Sequence, residues 1–219
     1  MSSTMALKTS NLWFESQRQP NCPVTKKSGL TPNKINTNAC ISLDMERMGR
    51  ADTHVHTYYS GFNMLGALRF PESVAPPSLQ VDTARRNGMD VLCITDHNET
   101  AGGFVAQKYA RKFDDIQVVV GDEVMTNGGE VIGLWLNERL PLGLSPAEAV
   151  DRIHEQGGLA IAPHPFSVHV AGMQEKIFDL PLEGFETING GHPDRYSNHF
   201  AREIMDRYPG RWADLSGSD

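Results

Sequence analysis

Short apolar runs alternate with amphipathic stretches from about residue 50 to residue 219. Period-two runs with β-branched residues predict strands, and runs with a period near 3.6 predict helices. The predicted order is strand 51–57, helix 78–88, strand 91–97, helix 103–113, strands 116–124 and 129–136, helix 145–157, strand 159–165, strand 184–190, helix 195–208 and strand 211–219.

Local signals sharpen two of these elements. Asn127 and Gly128 separate two β-rich runs, which predicts a hairpin with these residues at its turn. Ser145 and Glu148 have the spacing of a capping box, with Pro146 at the first helical position. The helix that begins there is expected to end at the glycine pair 157–158.

The polar residues of this pattern fall where the strands end. The segments THVHT, ITDH, GDE, APHP and GSD each follow an apolar run. Alternating strands and helices indicate a parallel α/β architecture, and a ring of polar strand ends favours a (β/α) barrel over an open sheet, which usually binds ligands at one switch point.

Residues 1–48 have neither period and are rich in Ser, Asn, Thr, Lys and Pro. They are expected to form a poorly structured leader, and no apolar core of a signal peptide is present. Met45 and Met48 lie just before the first strand, so an overextended start is an alternative. Residues 49–219 are predicted to be the folded domain.

Composition narrows the class of protein. The 219 residues carry a formal charge of −7, with 20 Lys and Arg against 27 Asp and Glu. No apolar run approaches the length of a membrane span, and no broad cationic surface is expected to bind a long nucleic acid. The three cysteines form no CxxC pair, which favours a reducing cytoplasm.

The histidines suggest metal binding. His54 and His56 are two apart on a strand, so their side chains project from one face and could chelate a divalent ion. Asp52, on the same alternation, is a candidate hydrogen-bond partner for them. Further candidates at strand ends are Asp96, His97, Glu123, His164 and Asp219. His192 and Arg195 are weaker candidates for contacting a substrate phosphate.

These motifs, in this order, resemble the PHP (polymerase and histidinol phosphatase) family, and most of all its small stand-alone phosphoesterases. The resemblance covers residues 49–219 and implies a distorted (β/α)7 barrel with two or three metal ions at its C-terminal face. It implies that His54, His56, Glu123 and Asp219 hold one metal. Glu123 would bridge to a second metal that His164 also binds, and His97 would help hold a third.

Two positions depart from the family pattern. Glu130, in GEVIGL, replaces a histidine that the family often has there. It could bind a hard cation and favour manganese or magnesium over zinc, or it could be an exposed strand residue. The last family motif reads GSD-x-H, whereas this sequence stops at Asp219. We therefore expect a barrel that is incomplete at its C-terminus, truncated within the last metal motif.

The resulting hypothesis is a metal-dependent phosphoesterase that hydrolyses a small phosphomonoester or nucleotide with metal-activated water. The expected cofactors are two or three divalent ions (Mn, Zn or Fe), and Asp96 is the candidate catalytic residue that orients the water or moves a proton. The alternatives are a noncatalytic or regulatory PHP-like module and a TIM-barrel amidohydrolase. The latter class commonly uses a lysine at a strand end, which this sequence lacks.

Overall fold

The computed structural model describes residues 49–65, 68–191 and 196–219, the side chains of 62–65 and 68–70 excepted. The predicted leader, residues 1–48, lies outside the described residues, so its disorder stays a prediction. His192 and Arg195 also lie outside them.

The described residues form strands and helices in the predicted alternation. The strands are β1 (Ala51–Val55), β2 (Phe62–Leu65), β3 (Leu68–Pro71), β4 (Val91–Ile94), β5 (Gln117–Thr126), β6 (Gly129–Leu134), β7 (Leu159–Ala162), β8 (Gly184–Asn189) and β9 (Ala213–Gly217). The helices are α1 (Pro77–Arg86), α2 (Ala101–Ala110), α3 (Pro146–Glu155) and α4 (Tyr196–Arg207). The small antiparallel pair β2–β3 was not predicted from the sequence.

Seven strands form one sheet in the order β1-β4-β5-β6-β7-β8-β9, which curves into a nearly closed barrel. All neighbours are parallel except β5–β6 and β6–β7, because β6 runs backwards as the second strand of a hairpin. Thr126 pairs with Gly129, so Asn127 and Gly128 form the turn, as predicted. The fold is therefore the distorted seven-stranded α/β barrel that the motifs implied.

The hairpin changes the place of Glu123, which the sequence predicts at the end of its strand. The ladder between β5 and β6 continues three residues further, to Thr126. Glu123 therefore lies within a paired strand. Its backbone is fixed from both sides, since β6 pairs with it and His97 forms an isolated bridge to it.

The barrel interior has an apolar layer made of side chains from four neighbouring strands. Its buried members are Cys93, Val119, Ile132, Leu134 and Ile161. Cys93 is thus a packing residue, and burial raises the pKa of its thiol. On β5 the inward alternation continues from Val119 to Glu123, which places the carboxylate at one end of the packed interior.

The helices cover the outside of the sheet in two apolar clusters. One joins α1 and α2 to β1, β4 and β5, and the other joins α3 and α4 to β6, β7 and β8. Helix α3 begins with the predicted capping box, in which the Ser145 hydroxyl accepts the N–H of Glu148 and the Glu148 carboxylate accepts the N–H of Ser145. No helix in the described part of the chain has the length and apolar character needed to span a membrane.

The first and last strands meet at a seam. Ser218 donates its N–H to Asp52 (2.9 Å), Asp219 donates its N–H to the carbonyl of His54 (2.8 Å), and the Thr53 hydroxyl donates to the carbonyl of Ser216. Gly217 lies in this seam, and a Cβ there would come within 2.2 Å of His54 Cβ. The close approach of β9 to β1 therefore requires a residue without a side chain.

We expect Gly217→Ala to lower the free energy of unfolding by about 1–3 kcal/mol, because the added methyl group would force the two strands apart. Urea denaturation of both proteins measures the difference. Gly49→Ala is the matched control, since a Cβ at Gly49 would meet Asp90 at an ordinary 3.5 Å. Equal stabilities of the two variants would contradict this account of the seam.

Candidate metal centre

The structure brings together all six side chains that the sequence nominated as metal ligands. β1 carries His54 and leads into His56, and β5 carries Glu123. His97, His164 and Asp219 follow β4, β7 and β9 within three residues. The side chains meet at the end of the barrel towards which every strand of the sheet except β6 runs.

Two imidazoles and two carboxylates form the first part of the cluster. The Nε2 atoms of His54 and His56 lie 3.0 Å apart, and each is 3.1 Å from Glu123 Oε2. Asp219 Oδ1 lies 3.4 Å from His54 Nε2 and 3.1 Å from His56 Nε2. Four potential ligand atoms therefore converge on one small volume.

Glu123 connects this part to the remaining histidines. Its Oε1 lies 3.1 Å from His164 Nε2, and its Oε2 lies 3.3 Å from His97 Nδ1. Its two oxygens thus face different sets of imidazoles, which is the arrangement required of a carboxylate that bridges two ions.

Three overlapping groups have ligand atoms close enough to share a metal ion. They are His54, His56 and Asp219; His54, Glu123 and His164; and His56, His97 and Glu123. Nitrogen and oxygen donors of this kind suit divalent transition metals. The residues present therefore fit the metals that the family resemblance implies.

The electrostatics of the cluster link its protonation to its charges. Burial alone would lower the pKa of His56, but Asp219 and Glu123 outweigh it and raise the pKa to about 9. Burial of His54 is likewise outweighed by Glu123 and Glu186, so its pKa is raised. Burial would raise the pKa of Glu123, yet His54 and His97 hold it well below its ordinary value.

Three of the histidines have a partner on the ring nitrogen that faces away from the cluster centre. His54 Nδ1 lies 3.1 Å from Glu186 Oε1, and His56 Nδ1 lies 3.0 Å from the Ser60 hydroxyl. His97 Nε2 lies 3.5 Å from Glu72 Oε2. Such partners fix the tautomer and the orientation of a metal-binding imidazole.

Glu186 was missed by the sequence analysis, which expected Asp52 to hold the histidine pair. Asp52 instead accepts backbone N–H groups, from Ser218 at 2.9 Å and from His54 at 3.5 Å, because its side chain reaches the seam rather than the imidazoles. The signal for Glu186 is an acidic residue inside an otherwise largely buried strand, GFETIN.

Glu186 also supports a strained residue. His164 has a φ of +26°, a region that costs free energy for a residue with a side chain. Its backbone N–H donates to Glu186 Oε2 at 2.9 Å. One buried carboxylate therefore orients the ring of His54 and holds the backbone that aims His164.

Glu130 is part of the cluster. It is 6% exposed and its Oε2 lies 3.8 Å from His164 Nε2, so the interpretation as an exposed strand residue is wrong. Burial, reinforced by the charge of Glu123, raises its pKa to about 7. Because β6 runs backwards, the start of this strand lies at the same end of the barrel as the ends of its parallel neighbours.

Asp96 lies beside the cluster with both carboxylate oxygens occupied. Thr57 donates its N–H to Oδ1 at 2.6 Å and its hydroxyl to Oδ2 at 2.8 Å. A Cβ on Gly102 would come within 1.9 Å of Oδ2, so the start of α2 also closes over this carboxylate. Asp96 thus anchors the segment that follows His56, and its catalytic role stays a prediction.

Two of the histidines with no assigned role lie outside the cluster, beside carboxylates. His154 on α3 lies 3.1 Å from Glu183, and His199 on α4 lies 3.3 Å from Glu203.

The raised pKa of His56 predicts how the metal-free protein responds to pH. A group whose pKa rises from 6.5 to about 9 on folding stabilises the fold below pH 6.5, and this contribution is lost as the pH rises towards 9. After treatment with a chelator, the free energy of unfolding should therefore fall between pH 7 and pH 9. His56→Gln should flatten this dependence, and a flat profile in the unmodified protein would contradict the prediction.

Comparison with known proteins gives relatives by sequence and relatives by structure. No family model matches the chain. The uncharacterized protein MJ1587 of Methanocaldococcus jannaschii is 47% identical over 152 residues, 69% of this chain and 88% of that protein. A candidate metal-dependent phosphoesterase from Bifidobacterium adolescentis superimposes with a TM-score of 0.61 at 14% identity, covering 78% of this chain and 87% of the other.

An amidohydrolase from Chromobacterium violaceum gives a TM-score of 0.59 at 17% identity, with the same two coverages. At such identities these superpositions establish the fold alone, whereas the identity to MJ1587 establishes kinship. The chain belongs to the same family as MJ1587, and its fold is the PHP-type barrel that its motifs predicted.

Proposed function

We propose that this protein is a metal-dependent hydrolase that cleaves phosphoesters. The observation that carries the proposal is the convergence of four imidazoles and two carboxylates in three overlapping groups around Glu123. Burying so many ionisable groups together without a cation is costly.

In this proposal His54, His56, Glu123 and Asp219 hold one divalent ion, and Glu123 and His164 hold a second. His97 helps to hold a third where one is bound. Such ions would supply Lewis acidity, which activates water and stabilises negative charge on phosphoryl oxygens.

The protein's own residues would orient the ligands and admit the substrate. Glu186, Ser60 and Glu72 hold the outward nitrogens of three imidazoles, so the rings need little reorganisation. The side chain of His54 is 0% exposed, whereas those of His97 and Asp219 are 17% and 22% exposed. We infer that the substrate approaches from the side of His97 and Asp219.

We propose a small phosphomonoester or nucleotide as the substrate. The chain has a net charge of −7, so its surface as a whole does not attract a polyanion. Bound cations would reverse the sign of the potential locally, which is enough to attract one phosphate group. A long nucleic acid would need a cationic surface well beyond the site.

Glu130 suggests which metals the site prefers. A carboxylate in place of an imidazole beside His164 adds a hard oxygen donor to the second ion's surroundings. Oxygen-rich sites favour manganese or magnesium over zinc. We therefore propose manganese as the first metal to test.

The two alternatives make different predictions. A TIM-barrel amidohydrolase of the kind with a bridging lysine is disfavoured, because the strand-end motifs contain no lysine and the two oxygens of Glu123 face different imidazoles. A noncatalytic module would bind fewer than two transition-metal ions per chain, which elemental analysis of the purified protein measures.

We expect the protein loaded with manganese to release phosphate from phosphomonoesters or nucleotides. His54→Ala and His164→Ala should each lower kcat/KM by more than the about 10- to 100-fold that loss of an outer partner costs. His199→Ala is the matched control, because His199 is exposed and paired with Glu203. Absence of hydrolysis across a panel of phosphoesters, or full activity in both site variants, would refute the phosphoesterase proposal.

Glu130→His should shift the ratio of zinc to manganese affinity towards zinc by about tenfold, since an imidazole replaces a hard oxygen donor. Competition titrations with a metal-sensitive dye measure both affinities. Glu130→Gln controls for loss of the negative charge and should weaken both metals without this preference. An unchanged ratio in the histidine variant would place Glu130 outside the metal's surroundings.

A further inference from the structure

Strand β8 ends at Asn189, which is buried. Asn189 is not one of the nominated metal ligands, and the proposed function does not use it. Its side-chain amide Nδ2 donates to Glu186 Oε2 at 3.0 Å and to Asp219 Oδ2 at 2.8 Å. The amide of Asn189 therefore joins Asp219, a nominated metal ligand, to Glu186, which is the partner of another nominated ligand, His54.

The two carboxylates use their oxygens in the same way. Asp219 directs Oδ1 to His54 and His56, and its Oδ2 accepts from Asn189. Glu186 directs Oε1 to His54 Nδ1, and its Oε2 accepts from Asn189 and from the backbone of His164. In each carboxylate, one oxygen faces a site imidazole while the amide of Asn189 holds the other.

The orientation of the amide is determined by its donor side. Asn189 Oδ1 is buried and has no hydrogen-bond partner in the described structure. Exchanging the nitrogen and the oxygen would place a carbonyl oxygen against two carboxylate oxygens, so this orientation is the only favourable one. A buried carbonyl oxygen without a partner is costly, which indicates that the two donated hydrogen bonds are what the position requires.

The backbone at this position does not depend on the side chain of Asn189. The Asn198 amide on α4 accepts the N–H of Asn189 at 3.0 Å and donates to its carbonyl at 3.0 Å. The end of β8 is thus held by Asn198, and the side chain of Asn189 is left to act on the two carboxylates.

We propose that Asn189 is a positioning residue that aligns Asp219 and Glu186 so that Asp219 Oδ1 and His54 Nε2 converge on one divalent cation. Two nearby carboxylates repel each other, and hydrogen bonds from one shared amide hold each of them in a fixed orientation. The inference rests on the proposed function in one respect only, which is that a metal ion binds to His54, His56 and Asp219.

Calorimetric titration of the metal-free protein with Mn²⁺ tests the proposal without an activity assay. Asn189→Ala should weaken the affinity for at least one Mn²⁺ by about 10- to 100-fold, the usual cost of losing an outer partner. Asn198→Ala is the matched control. It should lower Tm while leaving the Mn²⁺ affinity within about threefold, since it removes only bonds to the backbone.

A double-mutant cycle identifies the path of the effect. If Asn189 acts through Asp219, the double variant Asn189→Ala/Asp219→Ala should bind Mn²⁺ nearly as tightly as Asp219→Ala alone. Should Asn189→Ala fail to fold, Asn189→Ser keeps one donor and serves in the same cycle, with an intermediate loss expected.

Three results would overturn the inference: unchanged Mn²⁺ affinity in the Asn189 variants, an equal loss in Asn198→Ala, or fully additive losses in the double variant. Failure of the unmodified protein to bind Mn²⁺ would overturn the inference together with the proposed function. Mn²⁺ binding that depends on Asn189 in a protein without hydrolytic activity would support the inference and overturn only the proposed function.

Discussion

The buried carboxylate of Glu123 is the interaction on which the site depends. An ionised carboxylate in the interior of a barrel is stable only when opposite charges or good donors surround it. Here four imidazole nitrogens lie within 3.3 Å of its two oxygens. Because the histidines come from three strands, the folding of the barrel and the assembly of the charged cluster are one process.

Strand β8 has a supporting role that differs from that of its neighbours. It contributes none of the six nominated ligands. Glu186 and Asn189 on this strand nevertheless contact three of those ligands, His54, His164 and Asp219. Glu186 and Asn189 are buried, and neither lies in one of the strand-end motifs. The orientation of the ligand side chains therefore depends on a strand that contains no ligand motif.

Much of the fold, and of the set of side chains that meet at one end of the barrel, could be predicted from the sequence. Alternating strands and helices gave the barrel, and the strand-end motifs located His54, His97 and Asp219 where the side chains meet. The rule that ligands follow the ends of parallel strands could not decide the place of Glu130. That residue begins a strand of reversed direction, so it reaches the same end of the barrel from the other side.

The supporting residues could not be predicted for a different reason. Asp52 has the right spacing to hold the histidine pair, but its carboxylate accepts the backbone N–H groups of Ser218 and His54. Which acidic residue reaches an imidazole depends on how distant strands are placed, as the pair of His54 and Glu186, 132 positions apart, illustrates. Single-sequence patterns carry no information on that placement.

The group of His54, His56 and Asp219 lies at the seam between β1 and β9, so a cation bound there would also affect the stability of the fold. Asp52 and Ser218, which are hydrogen-bonded at this seam, lie 166 positions apart in the chain. Few hydrogen bonds join the two sides of the seam. Any cation held there would tie the first strand of the barrel to the last and close the largest loop in the domain. Closing so long a loop removes much conformational freedom from the unfolded chain. A cation bound at this seam would therefore raise the free energy of unfolding of the barrel.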